Sequence, residues 1–345
     1  MHCNKLIFIL LFFLTGCYQN ETMQKKDYIF GTIVDVTIYG ETKDNANHAI
    51  ELVFKEFRRL HNYLHPWEKS IIQDINQSIK NQEIYATHDR EILSIIKHNK
   101  ELELKTRGYF NPSIGKLIGA WGFHTDQLST DRPNSKLIEN LQRNLPHMSE
   151  INIHNGYIDS KNKNIQLDLG GYAKGYALDQ AKKILSDNNI NNALINIGGN
   201  ILALGQHGDR SWVVGIQNPR KPSSMASIIL KPGWSIGTSG DYQRYFIVDN
   251  QRYSHLIDPN TGYPANNSQS ATILFPPTKS SGTLSDVYSK PLFIAPENLK
   301  YSLAKELGIE FYMIVMANGK ISISSSMFNQ IKWHEKIDKK NITVH

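Results

Sequence analysis

The apolar positions of this chain change their spacing along its length. Early on they keep helical spacing. Ala49, Ile50, Val53, Phe54, Phe57 and Leu60 fall on one face of a helix expected over Asn45–Leu60, and Ile92, Ile95, Ile96 and Leu102 on one face of a second over Asp89–Leu104. Ahead of both, Ile33, Val34, Val36 and Ile38 stand among small and polar residues and predict a first strand over Gly31–Tyr39. Beyond Ile151 short strand-like runs take over: Ala193–Ile197, Trp212–Gln217, Ser227–Leu230, Tyr245–Val248, Ala271–Phe275, Phe311–Met316 and Lys320–Ser324. Helices over Tyr172–Ser186 and Glu297–Leu307 interrupt them. Strands that arrive in runs, not in strict alternation with helices, predict an α+β fold instead of a doubly wound parallel sheet. No repeat or long linker divides the chain, so a single domain is expected over 28–335, with the polar stretch Thr125–Pro146 as a surface excursion.

The amino terminus reads differently. Lys5 precedes an apolar run, Leu6–Leu14, that is too short to span a bilayer as a helix and has the form of an export signal. Leu14-Thr15-Gly16-Cys17 follows it and resembles the bacterial lipoprotein processing box. The expectation is removal of residues 1–16, lipidation of Cys17, and a polar tether over 17–27 that holds the protein to a membrane of the bacterial cell envelope, on its periplasmic side. Cys3 leaves with the signal, so Cys17 is the one cysteine remaining and no intrachain disulfide is expected.

Composition changes this picture little. The chain of 345 residues has 38 basic and 32 acidic side chains, a formal +6 spread thinly, so nucleic-acid binding is not indicated. The densest basic stretch, within 336–345, reads as a solvated tail. Sixteen tyrosines and thirteen phenylalanines within 40% apolar content supply a sizeable core.

The candidate chemistry centres on QLDLGGYAKGYALDQ, Gln166–Gln180. A strand-like run (Ile165, Leu167, Leu169) meets Gly170-Gly171 and then a helix, a plan that lets backbone and a helix amino terminus approach a phosphate. Asp168 sets a carboxylate at its edge, and Lys174 supplies a cation. Alone, this pattern is more often plain turn chemistry. Among the histidines, His255 in YSHLIDP is the best general-base candidate, an imidazole next to Asp258 and the turn-forming Pro259. Thr238-Ser239-Gly240 reads as a structured turn. Arg244 behind it either binds substrate or, the favoured reading, braces Asp241. Gly198-Gly199-Asn200 reads as a strand-end turn near the site with no catalytic part.

Five stretches carry a resemblance: Phe30-Gly31-Thr32, FNPSIGKLIGAWGF (Phe110–Phe123), LDLGGYAKGYALD (Leu167–Asp179), ALINIGGN (Ala193–Asn200), and TSGDYQRYF with YSHLIDPNTGYP within Thr238–Pro264. In this order they resemble the ApbE family, the FAD:protein FMN transferases, over nearly the whole mature chain. The resemblance implies a transferase that takes FAD as substrate with Mg2+ as cofactor. It would cleave the FAD pyrophosphate, attach FMN through a phosphoester to a Thr or Ser of an exported or membrane acceptor protein, and release AMP. A FAD pyrophosphatase that gives FMN and AMP, or a non-catalytic FAD-binding lipoprotein, are the alternatives.

By the same resemblance His255 is catalytic, and Phe30, Tyr109, Phe110, Asn111, Asp168, Lys174 and Ile257 contact FAD, with Phe30 where methionine is usual and Asn111 where aspartate is usual. The carbonyl of Gly171, the carboxylate of Asp286 and the residue at 290 match metal-ligand positions. Position 290 is lysine, which as an ammonium has no lone pair for a metal; it either replaces the cation's charge at the pyrophosphate or marks a weak or lost metal site. Pro291 next to it is expected to break a helix and part Asp286 from Lys290. In HPWEKSIIQDIN, Ser70 and Asn76 keep the family frame, whereas Pro66 replaces a flavin-stacking tyrosine, leaving Trp67 either to stack in its stead or to pack.

Overall fold

The computed structural model describes residues 21–125, 127 and 131–345; the stretch expected to be an export signal and Cys17 lie outside the described residues. Nine strands form one sheet, and their order in space follows the chain: Thr22–Ile29, Thr32–Tyr39, Ala193–Ile197, Asn200–Leu204, Ser235–Gly240, Ser268–Phe275, Phe311–Met316, Ile321–Ile323 and Ile342–Val344. Neighbours are antiparallel except the last pair, which is parallel. The sheet buries both faces, so inner strands such as Asn200–Leu204 and Phe311–Met316 are buried along their whole length and send alternate side chains to opposite cores. In Phe311–Met316, for example, Tyr312, Ile314 and Met316 enter the large core under the helices, while Phe311, Met313 and Val315 enter a second core under a small sheet of 212–217, 224–230 and 331–333. The expected α+β class holds.

The α-helices among the described residues are α1 (Lys43–Tyr63), α2 (Ile71–Asn81), α3 (Arg90–Lys105), α4 (Gly115–Ala120), α5 (Ser135–Arg143), α6 (Gly170–Asp187), α7 (Ser281–Ile294), α8 (Glu297–Glu306) and the single turn α9 (Ser325–Phe328). In α1 and α3 the apolar stripes read from the sequence are buried, and the helices start at side-chain caps, Thr42 on the Asn45 N–H and Asp89 on the Glu91 and Ile92 N–H groups. The polar stretch Thr125–Pro146 contains α5, whose Ile138 is buried.

Both ends of the expected domain need correction. The tether over 17–27 gives way at Thr22 to an edge strand that pairs residue for residue with its neighbour, Thr22 opposite Tyr39 through Ile29 opposite Thr32. Its alternating exposure is that of an edge strand with one wet side, and Lys25 pairs with Glu51 at 2.9 Å. The 336–345 tail is not free either: Ile342–Val344 fills the open edge of Ile321–Ile323, and the Ser325 N–H and hydroxyl both donate to the His345 carbonyl. Among the described residues no helix is long and apolar enough to cross a membrane.

One helix had no sequence signal and positions much of the site. Every residue of α7 except Leu284 is buried, so it carries no polar face and no stripe. It lies against α6 where Gly175 faces Gly282, since a Cβ on Gly175 would stand 2.5 Å from the Gly282 carbonyl. It lies against the sheet at Gly237, where a Cβ would stand 2.1 Å from the Ser285 carbonyl. Its amino terminus is capped from α6: Asp179 accepts the Gly282 and Thr283 N–H groups and the Thr283 hydroxyl at 2.6–2.8 Å. Pro291 cannot donate to the carbonyl one turn back. The helix nevertheless continues, with the Ala295 N–H bonded to the Pro291 carbonyl at 3.0 Å, because packing on both sides holds the backbone. The expected parting of Asp286 from Lys290 therefore does not occur.

Candidate functional site

Helix α6 begins at Gly170 itself, so the two glycines form the first helical residues and not a turn ahead of it. The apolar run before them is no strand. It is an extended segment held by the loop after α3, where Gln166 and Asp168 N–H groups donate to the Ser113 and Pro112 carbonyls and the Gln166 carbonyl accepts from Gly115. Asn76 of α2 clasps Leu167 on both backbone groups, at 2.7 and 2.9 Å, and Ser70 caps the same helix. Two positions that kept the family frame thus aim the segment leading to α6. Asp168 accepts the Gly170 N–H at 2.9 Å and the Trp67 indole N–H at 3.3 Å. Burial pushes the Asp168 carboxyl above the usual carboxylate range, against the pull of those donors. Trp67 thereby has a structural partner, with its ring lying 5.3 Å from that of His124.

The cleft beside these residues measures about 650 Å³, a volume suited to a small-molecule ligand. It gathers His255, Phe30, Tyr109, Phe110, Asn111, Asp168, Lys174, Ile257, Gly171, Asp286 and Lys290, every described site residue that the sequence put forward. Its rim is aromatic. Phe30 and Gly31 both take positive φ (57° and 68°) as the two-residue loop of the first hairpin, a strained conformation for a bulky residue. There the Phe30 ring packs against Phe57 and His61 and faces the cleft with Tyr109 and the exposed Tyr28, which the sequence reading did not single out. Asn111 belongs to the wall, but its amide is already used: it donates to the Pro146 carbonyl at 2.9 Å and accepts from Ser113.

His255 is held by backbone. Its Nδ1 lies 3.1 Å from the Arg244 carbonyl, which can only accept, so Nδ1 carries the proton and Nε2 is left with its lone pair as an acceptor. Burial first, then the cations Lys174, Arg244 and Lys290, push the imidazole down to about 3. Asp258 is not its partner. That carboxylate accepts the Asn260 N–H and side-chain amide within its own turn. Phe123 supports the ring from the side, with centroids 6.4 Å apart.

Two other readings are revised. Thr238, Ser239 and Gly240 are part of the strand Ser235–Gly240, where small residues are needed because α7 lies on them; Ser239 and Ser289 share a hydrogen bond of 2.7 Å. Asp241 is braced by Arg220 through two bonds of 2.7 Å, while Arg244 donates to the Thr125 carbonyl and contributes to the cleft. The Gly198-Gly199 step is the expected hairpin turn at the cleft edge, with φ of 57° and 94°.

The floor is electrostatic. Lys290 Nζ donates to Asp286 Oδ1 and to the Asp286 carbonyl, each at 2.7 Å, and Asp286 Oδ2 accepts the Gly175 N–H at 2.9 Å. Burial alone would raise the Asp286 carboxyl, but Lys290 and Lys174 outweigh it and hold it below the usual range, hence ionised. Lys290 reaches this position because Gly171 has no side chain: a Cβ there would stand 2.7 Å from Lys290 Cε. The magnesium expected from Gly171, Asp286 and position 290 does not fit this arrangement. Both carboxylate oxygens of Asp286 are engaged, Oδ1 by the Lys290 ammonium and Oδ2 by the Gly175 N–H, and an ammonium at position 290 has no lone pair to offer a metal.

An aromatic-rimmed cleft with lysines in its floor, set at a helix amino terminus on an α+β fold, has the chemistry to take a ligand with flat rings and negative charge. The ApbE family model matches residues 30–313, and the chain belongs to that family. It is 31% identical over 300 residues to the FAD:protein FMN transferase of Rhodobacter capsulatus, covering 87% of this chain but only 56% of that relative. It is 29% identical over 265 residues to the enzyme of the same name from Buchnera aphidicola subsp. Schizaphis graminum, covering 74% of this chain and 77% of the relative. The crystal structure of the ApbE protein of Thermotoga maritima superposes with a TM-score of 0.81 at 29% identity, over 90% of this chain and 99% of that one.

Proposed function

We propose that this protein cleaves the pyrophosphate of FAD and passes FMN to a Thr or Ser hydroxyl of an acceptor protein; its relatives are named FAD:protein FMN transferases, which supports the transfer of FMN from FAD to a protein. The observation that carries the reading is one cleft in which an imidazole with an open Nε2 faces a floor bearing Lys174 and Lys290 beside the start of α6. The aromatic rim of Tyr28, Phe30 and Tyr109 offers stacking for flat rings. His255 takes the hydroxyl proton on Nε2 as the oxygen attacks the flavin-side phosphorus. The bond to the AMP phosphate breaks, and AMP leaves with its electron pair. The family's magnesium enters no step, because Lys290 occupies one of its expected ligand positions and its ammonium is bonded to Asp286, another.

The envelope location belongs to the same reading and rests on the Leu14-Thr15-Gly16-Cys17 sequence; acyl chains on Cys17 would anchor the protein to the membrane. Mass spectrometry of the membrane-extracted protein checks that part, an unacylated amino terminus counting against it. For the chemistry, purified protein is incubated with FAD and a folded acceptor. Covalent flavin on the acceptor with one AMP per flavin is the expected result. AMP without labelled acceptor would point to hydrolysis, and neither product with FAD bound would overturn the proposal.

A further inference from the structure

Where a divalent ion is expected, the structure has a side chain. Lys290 Nζ is fixed by two bonds to Asp286, its stem lies over Gly171, and it lines the cleft that also contains Lys174 and His255. Asp286 in turn is locked to α6 by the Gly175 N–H, and α7 to α6 by Asp179 and by the close backbone approach at Gly175 and Gly282, so the ammonium is preorganised by the helix pair. Fixed cations aimed at developing negative charge are the larger part of phosphoryl-transfer catalysis, and a lysine does this as a point charge without a metal's need for six oxygens.

We infer that Lys290 is a resident cation in place of a bound metal: its ammonium, with Lys174, neutralises the FAD diphosphate and the charge left on AMP, so this protein works without a divalent ion. The inference rests on the proposed flavin transfer for its reaction, but not for its metal site. In the step, the acceptor oxygen–phosphorus bond forms, the phosphorus–oxygen bond to AMP breaks, the proton passes to His255 Nε2, and the electron pair stays on the AMP phosphate facing the lysines. No electron changes hands.

The test uses the full mature protein saturated with FAD. Mn2+ binding is followed by electron paramagnetic resonance in wild type and in Lys290→Thr, and AMP release is followed with and without chelator in wild type, Lys290→Thr and Lys290→Met. The expected wild type binds no Mn2+ in the cleft, and its AMP release changes less than twofold on chelation. Lys290→Thr frees Asp286, gains one Mn2+ and becomes chelator-sensitive. Lys290→Met binds FAD but loses about 100-fold in rate, the scale of removing one preorganised charge stabiliser. One equivalent of Mn2+ bound by wild type, or a tenfold loss on chelation restored by Mg2+, overturns the inference while leaving the transfer reaction intact. Absence of AMP and labelled acceptor under every condition would sink the transfer reaction instead, and the wild-type and Lys290→Thr Mn2+ titrations would still decide the inference. Because the wild-type titration needs no variant, a misfolded Lys290→Thr does not obscure the answer.

Discussion

The two walls of the cleft are built on very different scales. The floor, with Gly171, Lys174, Asp286 and Lys290, belongs to α6 and α7, which join the large core: Leu178, Val287, Leu292 and Phe293 are fully buried in it. The opposite wall carries His255 and belongs to a separate cluster of eight buried residues: four from the segment 114–123 around α4, Ile138 of α5, Phe246 and Tyr253 of the hairpin of 245–248 and 251–254, and Ile257 itself. In that cluster Trp121 stacks on Tyr253 at 5.5 Å and donates its indole N–H to the Gly262 carbonyl at 2.8 Å. The floor lysines Lys174 and Lys290 thus sit on the part of the fold with most to lose on opening, and His255, the proposed base, sits on a smaller body with less packing of its own. Damage to the floor should cost stability and chemistry together, whereas damage to the aromatic wall should cost chemistry first.

The largest expected effect separates these at a single residue. His255→Ala should lower AMP release by about 1,000-fold, within the range for losing a general base, with little change in the unfolding midpoint. A rate within tenfold of wild type would remove His255 from the chemistry. Next is Gly237→Ala on the floor side. A Cβ 2.1 Å from the Ser285 carbonyl forces α7 off the sheet, which should cost about 3 kcal/mol and lower the unfolding midpoint by several degrees, displacing Asp286 and Lys290 with it. An unchanged midpoint with unchanged activity would show that α7 is not held as tightly as its contacts indicate.

The comparison also explains what the sequence could and could not disclose. Helices α1 and α3 were legible because each has one dry face, and His255 because its neighbours form a compact signature. Helix α7 was not, since a helix buried all round has no period to read and Pro291 argues locally against it. Its partner strand Ser235–Gly240 looked like a turn for the complementary reason: small residues were chosen to admit α7. The clasp of Asn76 on Leu167 and the brace of Arg220 on Asp241 join residues 91 and 21 positions apart, and nothing local marks either. Lys290 was legible as a departure, but its ion pair with Asp286 depended on α7 staying helical through the proline.

A smaller effect would sharpen the difference in scale. Trp121→Phe leaves the Gly262 carbonyl without its donor and thins the stack on Tyr253, at a cost of about 1–2 kcal/mol confined to the aromatic wall. Amide exchange should quicken over 245–262 and remain slow in α6 and α7, with AMP release down severalfold. Equal acceleration in both regions would mean that the two walls open as one unit.

The smallest effect concerns pH and bears on how the walls act on each other. A general base works unprotonated, so activity is lost as pH falls through its pKa. With an ordinary imidazole, kcat/KM would have an acid limb near 6.5. In the free protein, burial and the floor cations Lys174 and Lys290, together with Arg244, push His255 down to about 3, so kcat/KM should be free of an imidazole limb from about pH 5 to 8. Bound FAD brings phosphate negative charge between the lysines and the ring, which favours the imidazolium, so the limb in kcat should lie above that in kcat/KM. Lys174→Met removes one of the depressing charges and should move the free-protein limb upward by a fraction of a unit. Profiles of both parameters by AMP release decide the matter: an acid limb at 6.5 in kcat/KM, unmoved by Lys174→Met, would mean that the floor's charge does not reach the base and that the two walls act independently.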